Sequence, residues 1–204
     1  MDVNKSCSLF KILVSLFLFV SFSAFATPSP KSAVAVFAGG CFWCMQADFD
    51  KVNGVEKTVA GYTGGDIVDP TYEQVSQGGT GHYEAVQVFY HPAQVSYQRL
   101  LNVFWRNIDP TNGKGQFCDT GDQYRAVIFY ADEEQKKLAL ESKQDLIKSK
   151  RFKQIVTEIL PEKTFYAAEK YHQKYYQKNP VRYHFYRYQC GRDQRLQELW
   201  GNKI

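Results

Sequence analysis

The sequence predicts an α+β fold: a mixed β-sheet with helices packed on it, a two-layer sandwich core of ferredoxin-like type. Three observations carry that expectation. Strand and helix patterns follow one another without the strict βαβ period of a doubly wound sheet, and hairpin signals are poor. The segment YEAVQVFY, Tyr83 to Tyr90, alternates as a half-buried strand does, whereas Tyr97, Leu101, Phe104 and Ile108 repeat at helical spacing. Aromatic residues make up 16% of the 204-residue chain, enough to fill a sizeable core and line a pocket in one domain.

The elements are expected in the following order. Lys5 and Lys11 precede the apolar run ILVSLFLFVSFSAFA, which ends in Ala24-Phe25-Ala26, the pattern of a signal peptide over residues 1–26. The run is shorter than the roughly 20 residues of a spanning helix, so no stable membrane association is expected after cleavage. Thr27 rather than Cys follows the cleavage site, which argues against a lipoprotein. The mature protein is expected to be exported, periplasmic in a Gram-negative host. TPSPKS, residues 27–32, reads as a linker, and residues 33–204 as the domain proper.

Within the domain, AVAVFA (Ala33 to Ala38) reads as a buried strand broken by Gly39-Gly40, with a helix from Phe42 to Asp50. Asn53-Gly54 turns into a second strand, Val55 to Tyr62, and Thr71 caps a short helix. The strand Tyr83 to Tyr90 is followed by a helix capped by Ser96. A polar, glycine-rich loop, Asp109 to Asp122, precedes a strand from Tyr124 to Tyr130. Asp132 with Gln135 forms a capping box for a long helix to Lys150. Ile155 to Leu160 reads as a strand stopped by Pro161, Ala167 to Lys178 as a helix, and the tail as finishing with a short helix.

Composition narrows the function. The net charge is +4, with Lys and Arg interleaved among Asp and Glu as in ESKQDLIKSKRFK, so solvated helix faces are expected and no nucleic-acid partner. Nothing in the pattern calls for an obligate assembly, and a monomer is expected. Export removes Cys7 and leaves Cys41, Cys44, Cys118 and Cys190. Oxidising compartments favour disulfides, yet a domain of this size folds without staples, so the thiols point to redox chemistry at least as much as to bracing.

Cys41, in GGCFWCMQADFD, stands where a strand and two glycines meet a helix start. Free N–H groups and the positive end of the helix dipole there favour a thiolate over the ordinary thiol of pKa about 8.5, which makes Cys41 a candidate nucleophile. Cys44 lies one helical turn on, a spacing suited to thiol–disulfide exchange or to half a zinc site. Zinc would need two further paired ligands, and neither the other cysteines nor His82, His91, His172 and His184 supply them, so no metal is expected. Glu84 shares a strand face with Val86 and Val88, where burial would raise its pKa and fit it for general-acid work near neutrality. Tyr72, Asp119 and Tyr124 lie in or beside loops that could meet such a site.

These segments resemble type A peptide-methionine sulfoxide reductases. The resemblance rests on GGCFWCMQADFD, GYTGG, DPTYEQVSQGGTGHYEAVQVFY and QFCDTGDQYRAVIFY, and continues through EILP, AAEKYHQKYY and YRYQCGRDQRL, covering nearly all of the domain. It implies reduction of methionine-S-sulfoxide in oxidised proteins and peptides, with Cys41 attacking the sulfoxide sulfur and Glu84 donating a proton to its oxygen. Tyr72 and Tyr124 would hold that oxygen, Phe42 and Trp43 would wall the methyl group, and Asp119 and His172 would stand at the rim. A Cys41 sulfenic acid would result, resolved to a disulfide and then reduced by a thioredoxin-like dithiol, with no metal or organic cofactor. The family's common pattern has Gly at Cys44 and HAEAV where this chain has HYEAV. Cys190, before Gly191 in an expectedly mobile tail, is the first candidate to resolve the sulfenic acid and Cys44 the second, with Cys118 expected only to pack. The rival readings are a general thiol–disulfide oxidoreductase using Cys41 and Cys44 alone, and an exported binding module with structural disulfides.

Overall fold

The computed structural model of the protein describes Met1 and residues 32–201, so the expected signal peptide and all of the linker but Ser32 lie outside the described residues. In chain order the elements are β1 (Ala33–Gly39), α1 (Phe42–Phe49), β2 (Val55–Thr63), α2 (Tyr72–Ser76), β3 (Tyr83–Tyr90), α3 (Tyr97–Arg106), β4 (Gly115–Gln116) and β5 (Asp119–Thr120). A 3-10 turn, Asp122–Tyr124, leads into β6 (Ala126–Tyr130), α4 (Glu133–Lys148), β7 (Glu158–Pro161), β8 (Tyr166–Ala167), α5 (Tyr175–Lys178), α6 (Pro180–Gln189) and α7 (Arg192–Trp200).

The larger sheet has the order β7-β6-β1-β3-β2-β8. Only its β6–β7 pairing is parallel, and the rest are antiparallel, so the sheet is mixed as expected. Alternation along β3 sends Val86 and Val88 into the main core with Phe37, Phe49, Leu101 and Phe104, and sends Tyr83 and Ala85 to a smaller cluster on the other face. The Phe37 ring stacks on Phe49 at 5.0 Å and on Phe104 at 5.3 Å, which pins α1 and α3 to one face of the sheet. Caps at Thr71, Ser96 and Asp132 accept N–H groups three residues on, as their side chains suggested.

Four expectations need correction. The glycine-rich loop holds the small hairpin β4–β5. The strand expected over Ile155 to Leu160 starts at Glu158 and includes Pro161, which sits on the edge strand β7, where no further ladder partner needs its missing N–H. Ala167 does not open a helix: it pairs with Gly61 and extends the sheet, and only Tyr175–Lys178 is helical in that region. The tail does finish with a short helix, α7, but an unexpected helix, α6, precedes it, with Gly191 between them at φ 61°.

Those two helices are tied to the core by buried guanidinium groups. Arg187 donates to Asp48 at 3.0 Å and to Tyr183 at 3.1 Å, and forks onto Asp193 at 2.7 Å. Arg192, only 1% exposed, donates to the Asn107 carbonyl at 2.7 Å and reaches the Gly39 carbonyl. Removing one partner of a buried pair leaves the other charge poorly solvated. Arg187→Ala is therefore expected to lower unfolding free energy by about 3 kcal/mol in a urea titration, against the wild-type chain. A change below about 0.5 kcal/mol, the size of an ordinary surface substitution, would contradict that role.

Candidate active site

Gly40, at φ +81°, turns the chain from β1 into α1, and a Cβ there would press on Gln116 at 2.6 Å. The turn leaves Cys41 as the N-cap residue of α1, 6% exposed, its carbonyl accepting the Cys44 and Met45 N–H groups. Antiparallel pairing of β1 with β3 brings Ala38 opposite Ala85, so Glu84 stands beside this turn. Its carboxyl group accepts the Phe42 backbone N–H at 3.0 Å. A cavity of about 260 Å³ is lined here by Cys41, Phe42, Trp43, Tyr72, Glu84, Asp119, Tyr124 and Tyr186. A larger groove of about 920 Å³ lies among α1, α3 and α7, but no cysteine lines it, so size does not select the reactive site.

The protonation states follow from burial. Desolvation pushes the Glu84 carboxyl from 4.5 up to about 8 against the pull of the Phe42 N–H, with Asp119 and Cys44 adding to the rise. Glu84 is thus mostly protonated at neutral pH. Burial likewise raises Tyr72 to about 12 and raises Tyr124, each further opposed to ionisation by Glu84, so both stand as neutral O–H donors. His172 is lowered to about 4 by burial and is neutral. Its Nδ1 accepts the Trp43 Nε1–H at 3.0 Å, which leaves the ring proton on Nε2, 4.0 Å from Glu169 and with no hydrogen-bond partner. The 4.0 Å contact is therefore not an ion pair. His172 lies behind the cavity lining, packed on Phe42 at 5.0 Å and on Tyr72 at 4.3 Å.

One electrostatic expectation is overturned. The helix start was expected to favour a Cys41 thiolate, yet the thiol is pushed well above its ordinary value. Burial is the main cause, followed by Cys44 and by the acidic side chains of Glu84 and Asp119. The first free helix N–H, from Phe42, is taken by Glu84 and not by the sulfur. Cys44 is drawn down to about 7 by a hydrogen bond from Cys41, against its own burial, with Arg192 and Arg187 assisting.

The two remaining cysteines also depart from expectation. Cys190 does not lie in a mobile tail: it caps α6 and forms a disulfide with Cys118, their Cα atoms 4.8 Å apart. Cys118 is thus bonded rather than merely packed. Cys41 and Cys44 are free and buried.

Sequence reasoning missed three contributors. Tyr186 lines the cavity, donates to Asp119 at 2.6 Å and meets the Trp43 ring edge-on at 5.7 Å. Its signal was its place one helical turn before Cys190. Glu169 accepts the Tyr72 backbone N–H and the Tyr62 hydroxyl, both at 2.8 Å, and so fixes the start of α2. Gln46 accepts the Lys174 N–H at 2.7 Å, which locks α1 to the segment carrying His172.

Residues 33–204 match the sequence model of a family described as peptide methionine sulfoxide reductase. The chain is 53% identical over 176 residues to peptide methionine sulfoxide reductase MsrA of Bacillus subtilis strain 168, covering 86% of this chain and 99% of that protein. Among solved structures, it resembles Mxr1 of Saccharomyces cerevisiae in reduced form, with a TM-score of 0.70 and 32% identity over 74% of this chain and 87% of the other. It also resembles methionine sulfoxide reductase A of Corynebacterium diphtheriae, with a TM-score of 0.66 and 32% identity over 76% and 78%.

Proposed function

The chain belongs to the peptide methionine sulfoxide reductase family, and from that premise we propose that it reduces methionine-S-sulfoxide in oxidised proteins and peptides, and free methionine-S-sulfoxide, to methionine. The observation that carries the assignment of roles is a buried thiol facing a protonated carboxyl and two phenols across one small cavity. A sulfoxide oxygen leaves poorly until it is protonated. Glu84 supplies that proton, and Tyr72 and Tyr124 donate hydrogen bonds to the same oxygen. Phe42 and Trp43 wall the side that takes the methyl group, and a fixed methyl wall selects one epimer at sulfur. Trp43 is held in place by stacking on Tyr175 at 3.8 Å and by its bond to His172. Asp119 completes the polar rim, and His172 backs the pocket.

Cys41 attacks the sulfoxide sulfur as Glu84 protonates the oxygen, and the proton that the Cys41 thiol gives up returns the Glu84 carboxyl to its acid form. Oxygen stays with Cys41 as a sulfenic acid, and the substrate sulfur leaves reduced by two electrons. Cys44 then condenses with the sulfenic acid to a Cys41–Cys44 disulfide and water. Cys44 takes this role ahead of Cys190 because Cys44 is free and hydrogen-bonded to Cys41, whereas Cys190 is bonded to Cys118. A thioredoxin-like dithiol returns the pair to thiols. The Lys5–Ala26 pattern supports placing this work outside the cytoplasm.

The carboxyl sets a pH dependence. Glu84 is active when protonated, so kcat/KM is expected to be held below its pKa and to fall as pH rises through about 8. A rate limited by thiolate supply alone would rise over the same range. The stability sign follows: a carboxyl raised in the folded state binds a proton that the unfolded chain releases, so its contribution to stability declines from pH 4.5 to about 8 and is flat above. A pH–rate profile on a sulfoxide peptide that climbs steadily through pH 9 would remove Glu84 as the acid.

A further inference from the structure

The Cys118–Cys190 disulfide and the Tyr186–Asp119 hydrogen bond join the same two elements. Cys118 and Asp119 are consecutive in the β4–β5 hairpin. Tyr186 and Cys190 are one turn apart on α6, with the Cys190 N–H bonded to the Tyr186 carbonyl, so both side chains leave the same helix face. The hairpin has only one pair of two-residue strands, and its tip holds Phe117 at φ 56°. Asp119 also accepts the Cys41 backbone N–H and lies 3.8 Å from the Cys118 sulfur. One link therefore borders the cavity, and the other lies outward, where Cys118 is exposed.

We propose that Tyr186 is a positioning residue for sulfoxide binding, holding Asp119 over Cys41 and closing the cavity's fourth side, and that the Cys118–Cys190 disulfide is a redox-sensitive clamp that sets this arrangement without itself taking part in turnover. The clamp rests on the reductase reading given above. A dithiol that reaches Cys118 opens it: two electrons and two protons break the S–S bond into two thiols, and the dithiol closes to its own disulfide. The hairpin is then tied to α6 at this point by the Tyr186–Asp119 bond, and the rim loses its fixed geometry. Substrate capture weakens, while Cys41, Cys44 and Glu84 keep their places on α1 and β3. The protein would thus bind oxidised methionine best in an oxidising environment and loosen its hold in a strongly reducing one.

The test uses the full chain in a burst assay without reductant, with the state of Cys118 and Cys190 read by alkylation and peptide mass spectrometry. One sample keeps Cys118–Cys190 oxidised with Cys41 and Cys44 free, and a second is fully reduced with dithiothreitol, which is then removed. Both are expected to release one methionine per chain. The reduced form should need about tenfold more sulfoxide for half-saturation, the effect of one charge-assisted hydrogen bond. Tyr186→Phe, which keeps the ring and loses the hydroxyl, should make half-saturation indifferent to the state of the disulfide. Equal half-saturation in the two wild-type forms would overturn the clamp. Two methionines per fully reduced chain, with Cys118–Cys190 re-formed as product, would also overturn it by making the pair an electron carrier. Failure of both forms to produce methionine would overturn the reductase reading and the clamp with it, and is told apart from failure of the clamp alone by the lack of product.

Discussion

Glu84→Gln is expected to cost about 100-fold to 10,000-fold in sulfoxide turnover, the range for loss of a positioned general acid. The amide is nearly isosteric, and its oxygen can still accept the Phe42 N–H that Glu84 accepts at 3.0 Å. What disappears is an acidic proton. Because burial already keeps Glu84 mostly protonated at neutral pH, the substitution removes little charge from beside Cys41. Alkylation of Cys41 by iodoacetamide should therefore proceed at close to the wild-type rate. A variant slow in both reactions would indicate a collapsed pocket. A variant fast in both would show that another group protonates the oxygen.

Cys44→Ser is expected to convert a cycle into a single event. Oxygen transfer to Cys41 still yields one methionine per chain, since Cys44 does not line the cavity and burial is the main cause of the raised Glu84 pKa. The sulfenic acid then has no free thiol one turn away and persists, trapped by a sulfenic-acid probe on the Cys41 peptide. Turnover driven by a thioredoxin-like protein should cease, because that partner attacks a disulfide and none forms. Sustained turnover, with a Cys41–Cys190 bond in the peptide map, would return the resolving role to Cys190 and require the Cys118–Cys190 bond to open in each cycle.

Much of the scaffold was legible because local physics and tertiary environment agree there. The alternation in Tyr83 to Tyr90 survives because β3 is central and its two faces meet different clusters. The caps at Thr71, Ser96 and Asp132 work through their own side chains and need no partner from afar. Expectation failed where a distant strand decided the matter. AAEKYHQKYY has helical propensity, but the open edge of β2 takes Tyr166 and Ala167 into the sheet, and Lys174 turns left-handed at φ 54°. Ile155 and Val156 look like strand residues, yet Val156 donates to the Pro110 carbonyl, and pairing with β6 begins only at Glu158. The two-residue strands at Gly115 and Asp119 are too short to show a period.

The cavity was legible in parts. Cys41, Phe42, Trp43 and Glu84 sit where a strand–turn–helix unit and one alternating strand put them, and Tyr72, Asp119 and Tyr124 join them from the start of α2, from β5 and from the 3-10 turn. Glu169 was not visible, because nothing local marks a glutamate whose partner is about 100 residues away, and Tyr186 offered only its place one helical turn before Cys190, with its partner about 70 residues away. Four cysteines allow three pairings, and spacing alone cannot choose among them. Nor could position at a helix start reveal that burial, with Cys44 and two acidic neighbours, would outweigh the dipole at Cys41.

The most direct measurement is dithiothreitol-driven reduction of a methionine-sulfoxide peptide by the chain from Thr27 onward, followed separately on each sulfur epimer. Disappearance of the S epimer, with the R epimer left intact, is the expected result and ties the reaction to a fixed methyl pocket beside Cys41. Persistence of both epimers, with the protein folded and its Cys41 thiol open to alkylation, would contradict the proposed reaction and bring thiol–disulfide exchange at Cys41 and Cys44 to the front.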